Sequence, residues 1–364
     1  MKVLHLITTL ERGGAEMQLL ELCKSQKEKE YSILVIYLKG NPSLNHSFES
    51  MGIRALKLKS FRTFIELNQL ICKSRLAIRD SSLPSVIHAH LPRAELVGLI
   101  LSKISGLKLI VSKHNSEIMW PNGNETISRA LAKVVGKHAS AIVCISKSVK
   151  DFLVGVGEID SSMQQKTFIV HYGINLANIP TSRELDLVHK STIQVGTLSR
   201  LETQKDLPTL LAAIKLVVLA YPNVKLIIHG EGSQKASLMK LRSELLLQNH
   251  VEILGKISSL EAFYSKCDIF VLTSKYEGFG LVLLESMYFG TPLLSSNSVA
   301  ASEVLLNSDE LLFQVGDSEE LARKIIALIE SPEVISDNLE VCRNILRIYD
   351  ISNARDRLEE IYGR

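Results

Sequence analysis

Short apolar runs alternate with amphipathic stretches from one end of the chain to the other. The apolar runs predict buried strands, and the stretches between them carry apolar residues at helical spacing. In the first half the predicted strands are Val3–Thr8, Ser32–Tyr37, Ser85–Ala89, Leu107–Ser112, Ser140–Ile145 and Thr167–His171. The predicted helices there are Ala15–Ser25, Phe61–Ile78, Ala94–Ile104, Glu125–Lys137 and Lys147–Val154. This alternation is typical of parallel α/β units.

A polar, proline-containing segment at residues 175–190 interrupts the alternation and is interpreted as a linker between two domains. The alternation then restarts with predicted strands at Thr192–Thr197, Val224–His229, Val251–Leu254, Asp268–Leu272 and Pro292–Ser295. The predicted helices are Asp206–Ala220, Gln234–Gln248, Leu260–Ser265, Leu281–Phe289, Ser318–Ile329, Glu333–Ile348 and Ser352–Tyr362. The sequence therefore predicts an α/β protein with two Rossmann-like domains, whose parallel sheets would face a central cleft.

The composition agrees with two globular domains. The chain has 364 residues, of which 46% are hydrophobic and 22% charged, and this length exceeds one typical core. The five cysteines are odd in number and widely spaced without a C-x-x-C pair, so neither a zinc site nor a disulfide framework is predicted. No run approaches the roughly 20 apolar residues of a membrane span, and the first apolar run lacks the features of a cleaved signal. We expect a protein of the cytosol or of the cytoplasmic face of a membrane.

The charge is uneven along the chain, although its net value is only +3. Residues 1–180 hold 23 Lys and Arg against 14 Asp and Glu, whereas the remainder holds 19 against 25. One interpretation is ordinary solvated faces, and the other is a first half that meets an anionic phospholipid surface or a lipid-phosphate acceptor. The basic segment Ser60–Arg79 has a similar pair of interpretations, a helix on an anionic membrane or a core helix with a solvated face. No nucleic-acid partner is expected.

Two glutamates bracket a glycine-rich turn between a predicted strand and a predicted helix. Glu277 lies in the turn with Gly278, Phe279 and Gly280, and Glu285 lies on the helix behind it. A strand followed by such a turn and a helix start presents N–H groups and the positive end of the helix dipole, which together make an anion site. The arrangement suits a polyhydroxylated phosphate ester such as a sugar nucleotide.

Motifs spread over almost the whole chain carry a family resemblance. They are Gly13-Gly14-Ala15-Glu16, His114, Cys144-Ile145-Ser146-Lys147, Tyr172-Gly173-Ile174-Asn175, Gly196-Thr197-Leu198-Ser199-Arg200 with Lys205, Gly230-Glu231-Gly232, and Glu277 with Glu285. In their order and spacing they resemble retaining glycosyltransferases of the GT-B fold, in particular glycosyltransferase family 4 (glycosyl transferases group 1). The resemblance implies an acceptor-binding domain at residues 1–176, completed by a crossing C-terminal helix at about 350–364, and a nucleotide-sugar donor domain at 177–349.

The resemblance also implies roles in the donor domain. Arg200 and Lys205 would bind the diphosphate, because preplaced cations stabilise a leaving group that gains charge; the competing interpretation is a pair of surface bases. Glu277 would accept hydrogen bonds from sugar hydroxyls, the amides of residues 278–280 would face the sugar and diphosphate, and Glu285 would hold the ribose hydroxyls. Alternatives for the acids are a buried structural Glu285 and a hydrolase pair, which would need two carboxyls across one bond.

Further positions follow from the same resemblance. Gly13-Gly14 would let the backbone approach a phosphate or sugar, or would only form a tight turn, and the segment lacks the G-x-G-x-x-G fingerprint of nicotinamide enzymes. His114 would contact the donor sugar at its 6-hydroxyl, unless it is a satisfied structural histidine. Gly230 and Glu231 would make room for the nucleotide, or Glu231 would cap the next helix. Ile257 lies where the backbone of this family meets the base.

The resulting hypothesis is transfer of a hexose-type sugar from a nucleotide-diphosphate donor, with UDP favoured over GDP, to a hydroxyl of a glycan or lipid-linked acceptor. The resemblance implies retention at the anomeric carbon, no metal or other cofactor, and a role in cell-surface polysaccharide biosynthesis. Rival hypotheses are a sugar-nucleotide epimerase of the same fold, a nicotinamide oxidoreductase, and a non-catalytic nucleotide- or glycan-binding protein. The chain departs from the family at Val299–Ser302, where many members have paired glycines.

Overall fold

Two parallel sheets organise the chain, which confirms the predicted α/β class. The computed structural model describes residues 1–58, 86–119, 124–177, 179–180, 185–257 and 259–364. Contacts divide the chain into two units, one made of Met1–Asn175 with Asp350–Arg364 and the other of Leu176–Tyr349. We call them unit 1 and unit 2. The predicted helix Phe61–Ile78 and the basic segment Ser60–Arg79 lie outside the described residues.

Unit 1 is built on a sheet whose described strands are all parallel, in the order β3-β2-β1-β4-β5-β6-β7. The strands are β1 (Lys2–Ile7), β2 (Ser32–Tyr37), β3 (Arg54–Lys57), β4 (Val86–His90), β5 (Lys108–Lys113), β6 (Ala141–Cys144) and β7 (Thr167–Ile169). The helices before the unit boundary are α1 (Gly14–Glu28), α2 (Asn45–Glu49), α3 (Pro92–Ser105), α4 (Glu125–His138) and α5 (Lys147–Gly155). The inner strands are almost continuously buried, because helices cover both faces of such sheets.

Unit 2 repeats this architecture with the strand order β10-β9-β8-β11-β12-β13 among its described residues. Its strands are β8 (Ile193–Leu198), β9 (Val224–His229), β10 (Val251–Leu254), β11 (Ile269–Leu272), β12 (Leu293–Ser296) and β13 (Leu312–Phe313). Its helices are α6 (Leu207–Ala220), α7 (Lys235–Glu244), α8 (Leu260–Tyr264), α9 (Leu281–Tyr288), α10 (Val299–Val304), α11 (Ser318–Glu330) and α12 (Pro332–Leu346). In both sheets the first strand of the unit lies inside the sheet, which places a change of strand order beside it.

The last helix, α13 (Ile351–Gly363), packs in the core of unit 1. Asp350 begins it by accepting a hydrogen bond from the Ser352 amide at 2.7 Å. Apolar residues on one face, including Leu358 and Tyr362, are buried against strand residues of unit 1. The Arg355 guanidinium donates to the Ser25 hydroxyl at 2.9 Å. The chain end is therefore part of unit 1, although the whole of unit 2 precedes it in sequence.

The elements that sequence analysis missed are short. They are α2, α10, β3 and β13, each of six residues or fewer, and such lengths carry too little periodicity to be recognised. The divergent stretch Val299–Ser302 forms most of α10. Part of the predicted linker packs as core, because Leu187 is fully buried in unit 2. No helix in the described ranges has the length and apolarity to cross a bilayer.

Candidate functional site

The carboxyl edge of the unit 2 sheet gathers most of the predicted donor residues. Arg200 follows β8, the Gly230 loop follows β9, Ile257 follows β10 and Glu277 follows β11. Because the strands are parallel, these loops emerge at one edge, where open α/β sheets bind their ligands. The β8–β11 pairing puts the Arg200 and Glu277 loops on neighbouring strands.

Lys205 and Glu277 form an ion pair across this edge. Each side chain is 11% exposed, and the Ser274 hydroxyl donates to the same Glu277 Oε1 at 2.7 Å. The Thr273 hydroxyl donates to the Lys205 carbonyl at 2.7 Å, which holds the two loops together. Sequence analysis assigned the lysine to a diphosphate and the glutamate to a sugar. The structure brings the two together and makes each the partner of the other.

Arg200 differs from Lys205 in being exposed at the same edge. Within the described ranges its guanidinium forms no hydrogen bond or ion pair, while its backbone is held on both sides. The Ser199 amide donates to the His229 carbonyl at 3.1 Å and the Leu201 amide to the Glu231 carbonyl at 2.9 Å. A fixed backbone with an open side chain leaves the guanidinium available for an anion.

The glycines of the β9 loop are explained by this loop pairing. A Cβ at Gly230 would lie 1.8 Å from the Ser199 carbonyl oxygen, and a Cβ at Gly232 would lie 2.4 Å from that of Leu201. Their missing side chains therefore make room for the backbone on either side of Arg200. The predicted contact of Gly230 with a nucleotide stays a prediction. Glu231 is exposed.

Glu231 lies on the loop that follows β9, and Ile257 lies on the loop that follows β10. Glu231 forms an ion pair with Lys256 at 3.6 Å. It does not cap the next helix, since the N-cap residue of α7 is Gln234. Ile257 is partly buried beside the exposed Lys256. The two predicted nucleotide contacts thus belong to adjacent loops of one sheet edge.

The glycine-rich turn leads into α9. Gly280 has a φ of +98° as the N-cap residue, a conformation in which a side chain would be strained. Phe279 is buried and packs edge-on against Tyr349, with ring centroids 5.7 Å apart. Its side chain is part of the core, so Gly278 and Phe279 offer only backbone groups to a ligand. The positive end of α9 lies at this turn.

Glu285 lies one turn further along α9 and is partly buried. Burial raises its pKa from the ordinary 4.5 to about 7, and a hydrogen bond with Tyr264 opposes part of that rise. The Val282 carbonyl oxygen, 3.1 Å from the Tyr264 hydroxyl, is a second acceptor for the single hydrogen of that hydroxyl. Glu285 is thus a carboxyl group that gains or loses its charge near neutral pH, without an ion-pair partner among the residues described.

In unit 1, Gly13-Gly14 begin α1 next to Glu16, an acid for which the sequence predicted no role of its own. Glu16 is buried and accepts a hydrogen bond from the Thr9 hydroxyl. A Cβ at Gly13 would lie 2.5 Å from Glu16 Oε2, so this glycine makes room for a carboxylate of its own helix. Burial raises the Glu16 pKa, and the Thr9 hydrogen bond opposes the rise.

His114 follows β5, is itself partly buried and adjoins a cluster of three buried histidines, His5, His88 and His90. Its Nδ1 is hydrogen-bonded to the Tyr172 hydroxyl, and its Nε2 lies 3.1 Å from His90 Nδ1. Burial, with the neighbouring Lys113 charge, lowers the His114 pKa to about 3. The neighbours were missed in the sequence, where the signal is the alternation His88-Ala-His90 at the end of a strand.

The histidine cluster does not form a ready metal site. One ring nitrogen each from His5, His88 and His90 lies within 4.8 Å of the others. Every ring nitrogen of the three already has a hydrogen-bond partner at 2.7 to 3.1 Å. A metal would have to break these bonds to obtain its ligands.

Lys113 is buried beside His114 and paired with an acid. Its Nζ lies 2.6 Å from Glu95 Oε2, and the side chains are 10% and 1% exposed. Burial alone would lower the Lys113 pKa, but the Glu95 carboxylate raises it above its ordinary value. The structure therefore separates the predicted residues by unit: His114 and Gly13-Gly14 lie in unit 1, and the residues from Arg200 to Glu285 lie in unit 2.

Comparison with known families matches both halves of the chain. The model for Glycosyltransferase Family 4 matches residues 12–178, and the model for Glycosyl transferases group 1 matches residues 180–343. An uncharacterized glycosyltransferase of Haemophilus influenzae is 23% identical over 329 residues, which is 88% of each chain.

Two further proteins match over nearly their whole length. The Campylobacter jejuni protein named GalNAc-alpha-(1->4)-GalNAc-alpha-(1->3)-diNAcBac-PP-undecaprenol alpha-1,4-N-acetyl-D-galactosaminyltransferase is 25% identical over 98% of this chain and 96% of its own. The crystal structure of Anabaena Alr3699/HepE in complex with UDP and glucose superposes with a TM-score of 0.78, at 22% identity, over 100% of this chain and 99% of that one. With matches that run from residue 12 to residue 343, this chain belongs to the group 1 glycosyltransferases of family 4, with the GT-B fold.

Proposed function

We propose that this glycosyltransferase moves a sugar from a nucleotide-diphosphate donor, UDP in the first instance, to a hydroxyl of a glycan or lipid-linked acceptor with retention at the anomeric carbon. The observation that carries the proposal is that the exposed Arg200 and the Lys205–Glu277 pair lie on loops at the same carboxyl edge of the unit 2 sheet, where α9 begins. The complex of the GT-B neighbour Alr3699/HepE with UDP and glucose supports the donor class.

The diphosphate would bind to Arg200 and to the start of α9. As the acceptor hydroxyl bonds to the anomeric carbon, the sugar–oxygen bond of the donor breaks and the departing diphosphate gains negative charge and takes up the hydroxyl proton. Preplaced positive groups stabilise this transition state more than the ground state. The Lys205 ammonium group is paired with the Glu277 carboxylate, so a phosphate that approaches Lys205 competes with that carboxylate. These groups support a reaction in which no metal takes part.

The polyhydroxylated parts of the donor would meet the acids. In its ionised form Glu285 can accept hydrogen bonds from two adjacent ribose hydroxyls, which its protonated form does less well. Glu277 Oε1 serves Lys205 and Ser274, so a sugar hydroxyl would donate its hydrogen to Oε2. In unit 1, His114 would receive a substrate hydroxyl.

The acceptor would bind unit 1. Residues 1–180 hold an excess of nine positive charges, 23 against 14, which suits an anionic acceptor. The name of the Campylobacter jejuni relative describes a glycan on diphospho-undecaprenol, and this supports a lipid-linked acceptor. The proposal extends to assembly of a cell-surface glycan on the cytoplasmic face of a membrane.

The test is turnover with a panel of UDP- and GDP-sugars and a polyprenyl-diphosphate glycan acceptor. Arg200→Ala should lower kcat by about 100-fold or more, the usual effect of removing one charge-stabilising donor. Arg323, an exposed arginine on α11, is the matched control, and Arg323→Ala should leave turnover unchanged.

Three results would contradict separate parts of the proposal. Equal turnover of Arg200→Ala and wild type would refute the diphosphate site. Loss of activity in a chelator, restored by a divalent cation, would refute the metal-free reaction. An inverted anomeric signal in the NMR spectrum of the product would refute retention, and conversion of the donor without any acceptor would favour the epimerase.

A further inference from the structure

A continuous series of hydrogen bonds runs through the interior of unit 1 from Gln26 through three histidines to Tyr172. Gln26 Oε1 lies 3.0 Å from His5 Nε2, and His5 Nδ1 lies 3.1 Å from His90 Nε2. His90 Nδ1 lies 3.1 Å from His114 Nε2, and His114 Nδ1 is bonded to the Tyr172 hydroxyl. We call these five side chains the histidine chain.

The three histidines of the chain are neutral. Burial lowers the pKa of His5 to about 4, and burial with the Lys113 charge lowers that of His114 to about 3. Burial and the neighbouring histidines hold the pKa of His90 well below its ordinary value. A neutral imidazole has one N–H donor and one lone-pair acceptor, so each ring passes the direction of its hydrogen bond to the next.

Gln26, at one end of the histidine chain, sets the direction in which its hydrogen bonds run. Its Oε1 can only accept, so His5 carries its hydrogen on Nε2 and accepts on Nδ1. His90 must then donate from Nε2 and accept on Nδ1, which places the hydrogen of His114 on Nε2 as well. The Tyr172 hydroxyl donates to the remaining lone pair on His114 Nδ1.

We infer that Gln26, His5 and His90 are positioning residues that fix His114 as a hydrogen-bond acceptor at Nδ1. The opposite direction would require the Gln26 amide to turn over, with an N–H group facing His5. The inference deepens the proposed function, on which its consequence for substrate rests. A substrate hydroxyl that replaces Tyr172 at His114 Nδ1 must donate its hydrogen.

Space for such a hydroxyl lies next to the chain. His90, His114 and Tyr172 line a cavity of about 30 Å³. That volume is enough for about two water molecules or for one hydroxyl group. A rotation of Tyr172 into this space would expose the Nδ1 lone pair to a substrate hydroxyl.

His88 provides a matched control in the same cluster. It is as buried as His90, and the two ring centroids lie 4.2 Å apart. Its ring nitrogens, however, are bonded at 2.7 Å to the Tyr362 and Ser112 hydroxyls, so it lies outside the chain. Substitution of His88 therefore disturbs the packing of the cluster without removing a member of the chain.

The test is NMR of the whole protein with histidine labelled at the ring nitrogens, where nitrogen shifts and two-bond couplings identify the protonated nitrogen. We expect hydrogen on Nε2 of His5, His90 and His114, with no protonation between pH 6 and pH 8. Hydrogen on Nδ1 of any of the three, or a positively charged ring in that range, overturns the inference whatever the enzyme's activity.

Variants test the link between the residues. His90→Leu should give His114 a mixture of tautomers, while His90→Asn, whose amide oxygen can still accept from His114 Nε2, should restore one. His88→Leu should leave the His114 signals in place. In transfer assays, His90→Leu should lower kcat/KM about tenfold, the size of one lost hydrogen bond, and His90→Asn should recover most of it.

Two outcomes of these variants contradict the link. An equal change of the His114 tautomer in His88→Leu and His90→Leu would show only a general packing effect. An unchanged tautomer in His90→Leu would show that the chain does not position His114. If His90→Leu fails to fold, the tautomers of the wild-type protein decide the question alone. Because NMR needs no substrate, its result does not depend on whether the proposed transfer reaction is correct.

Discussion

Replacing Glu285 by glutamine should stabilise unit 2 while it impairs donor binding. Burial raises the pKa of Glu285 from 4.5 to about 7. The folded state therefore binds the proton more tightly than the unfolded state, and stability must fall as pH rises between those two values. Below pH 4.5 the carboxyl is protonated in both states and costs nothing. Above pH 7 the folded state carries a partly buried charge.

The size of the effect follows from the shift. Because the pKa rises from 4.5 to about 7, at about 1.36 kcal/mol per pH unit, the charge lowers the free energy of unfolding by roughly 3 kcal/mol above pH 7. Unit 2 spans Leu176–Tyr349. In a domain of that size 1 kcal/mol moves the melting temperature by about 2–4 °C, so we expect a gain of roughly 6–12 °C in Glu285→Gln at pH 8.

The assay is thermal and urea unfolding of wild type and Glu285→Gln at intervals from pH 4.5 to pH 8.5. The two proteins should unfold alike near pH 4.5 and diverge as pH rises, because the other titrating groups are common to both and cancel in the difference. Glu244, an exposed glutamate on α7, gives the control Glu244→Gln, which should follow wild type throughout. Glu285→Gln should also weaken donor binding at pH 8 about tenfold or more, since an amide oxygen replaces a carboxylate.

The reasoning would be refuted by a stability difference between Glu285→Gln and wild type that does not change with pH, because the gain would then come from something other than the charge. A variant that loses stability at pH 8 would show that the carboxylate is stabilised by its surroundings. Unchanged donor affinity would remove Glu285 from the binding site and leave its stability effect standing.

Three other changes test the surroundings of the sites. Gly230→Ala should lower the free energy of unfolding, measured in urea, by about 2 kcal/mol or more, since its Cβ would lie 1.8 Å from a backbone oxygen. The control Gly255→Ala, whose Cβ would have its nearest atom 4.0 Å away, should leave that free energy unchanged. Lys113→Met should lower the free energy of unfolding by about 3–5 kcal/mol, because the buried Glu95 charge loses its partner. The double variant Lys113→Met with Glu95→Leu should regain most of this stability. Additive losses in the double variant would refute the pairing. Deleting residues 350–364 should lower the melting temperature of unit 1 while nucleotide binding by unit 2 survives in a calorimetric titration; an unchanged melt would contradict the packing of α13.

The sequence alone determined the strands and helices of ordinary length, because periodicity is a local property that neighbouring residues encode. It also predicted a donor site at Arg200 and Glu277, since strand, glycine turn and helix start are consecutive in the chain. It did not show the short elements or the use of the glycines. Gly230, for example, is required by a backbone oxygen 31 residues earlier, at Ser199.

Only the tertiary structure showed which side chains pair with the predicted site residues. The pairing of β4 with β1 sets His5 against His88 and Ile7 against His90, which brings together histidines 85 residues apart and fixes the surroundings of His114. The pairing of β8 with β11 likewise lets Lys205 reach Glu277, 72 residues away. Strand order is set by packing over the whole sheet, so no local pattern could reveal that a predicted phosphate-binding lysine has a carboxylate as its partner.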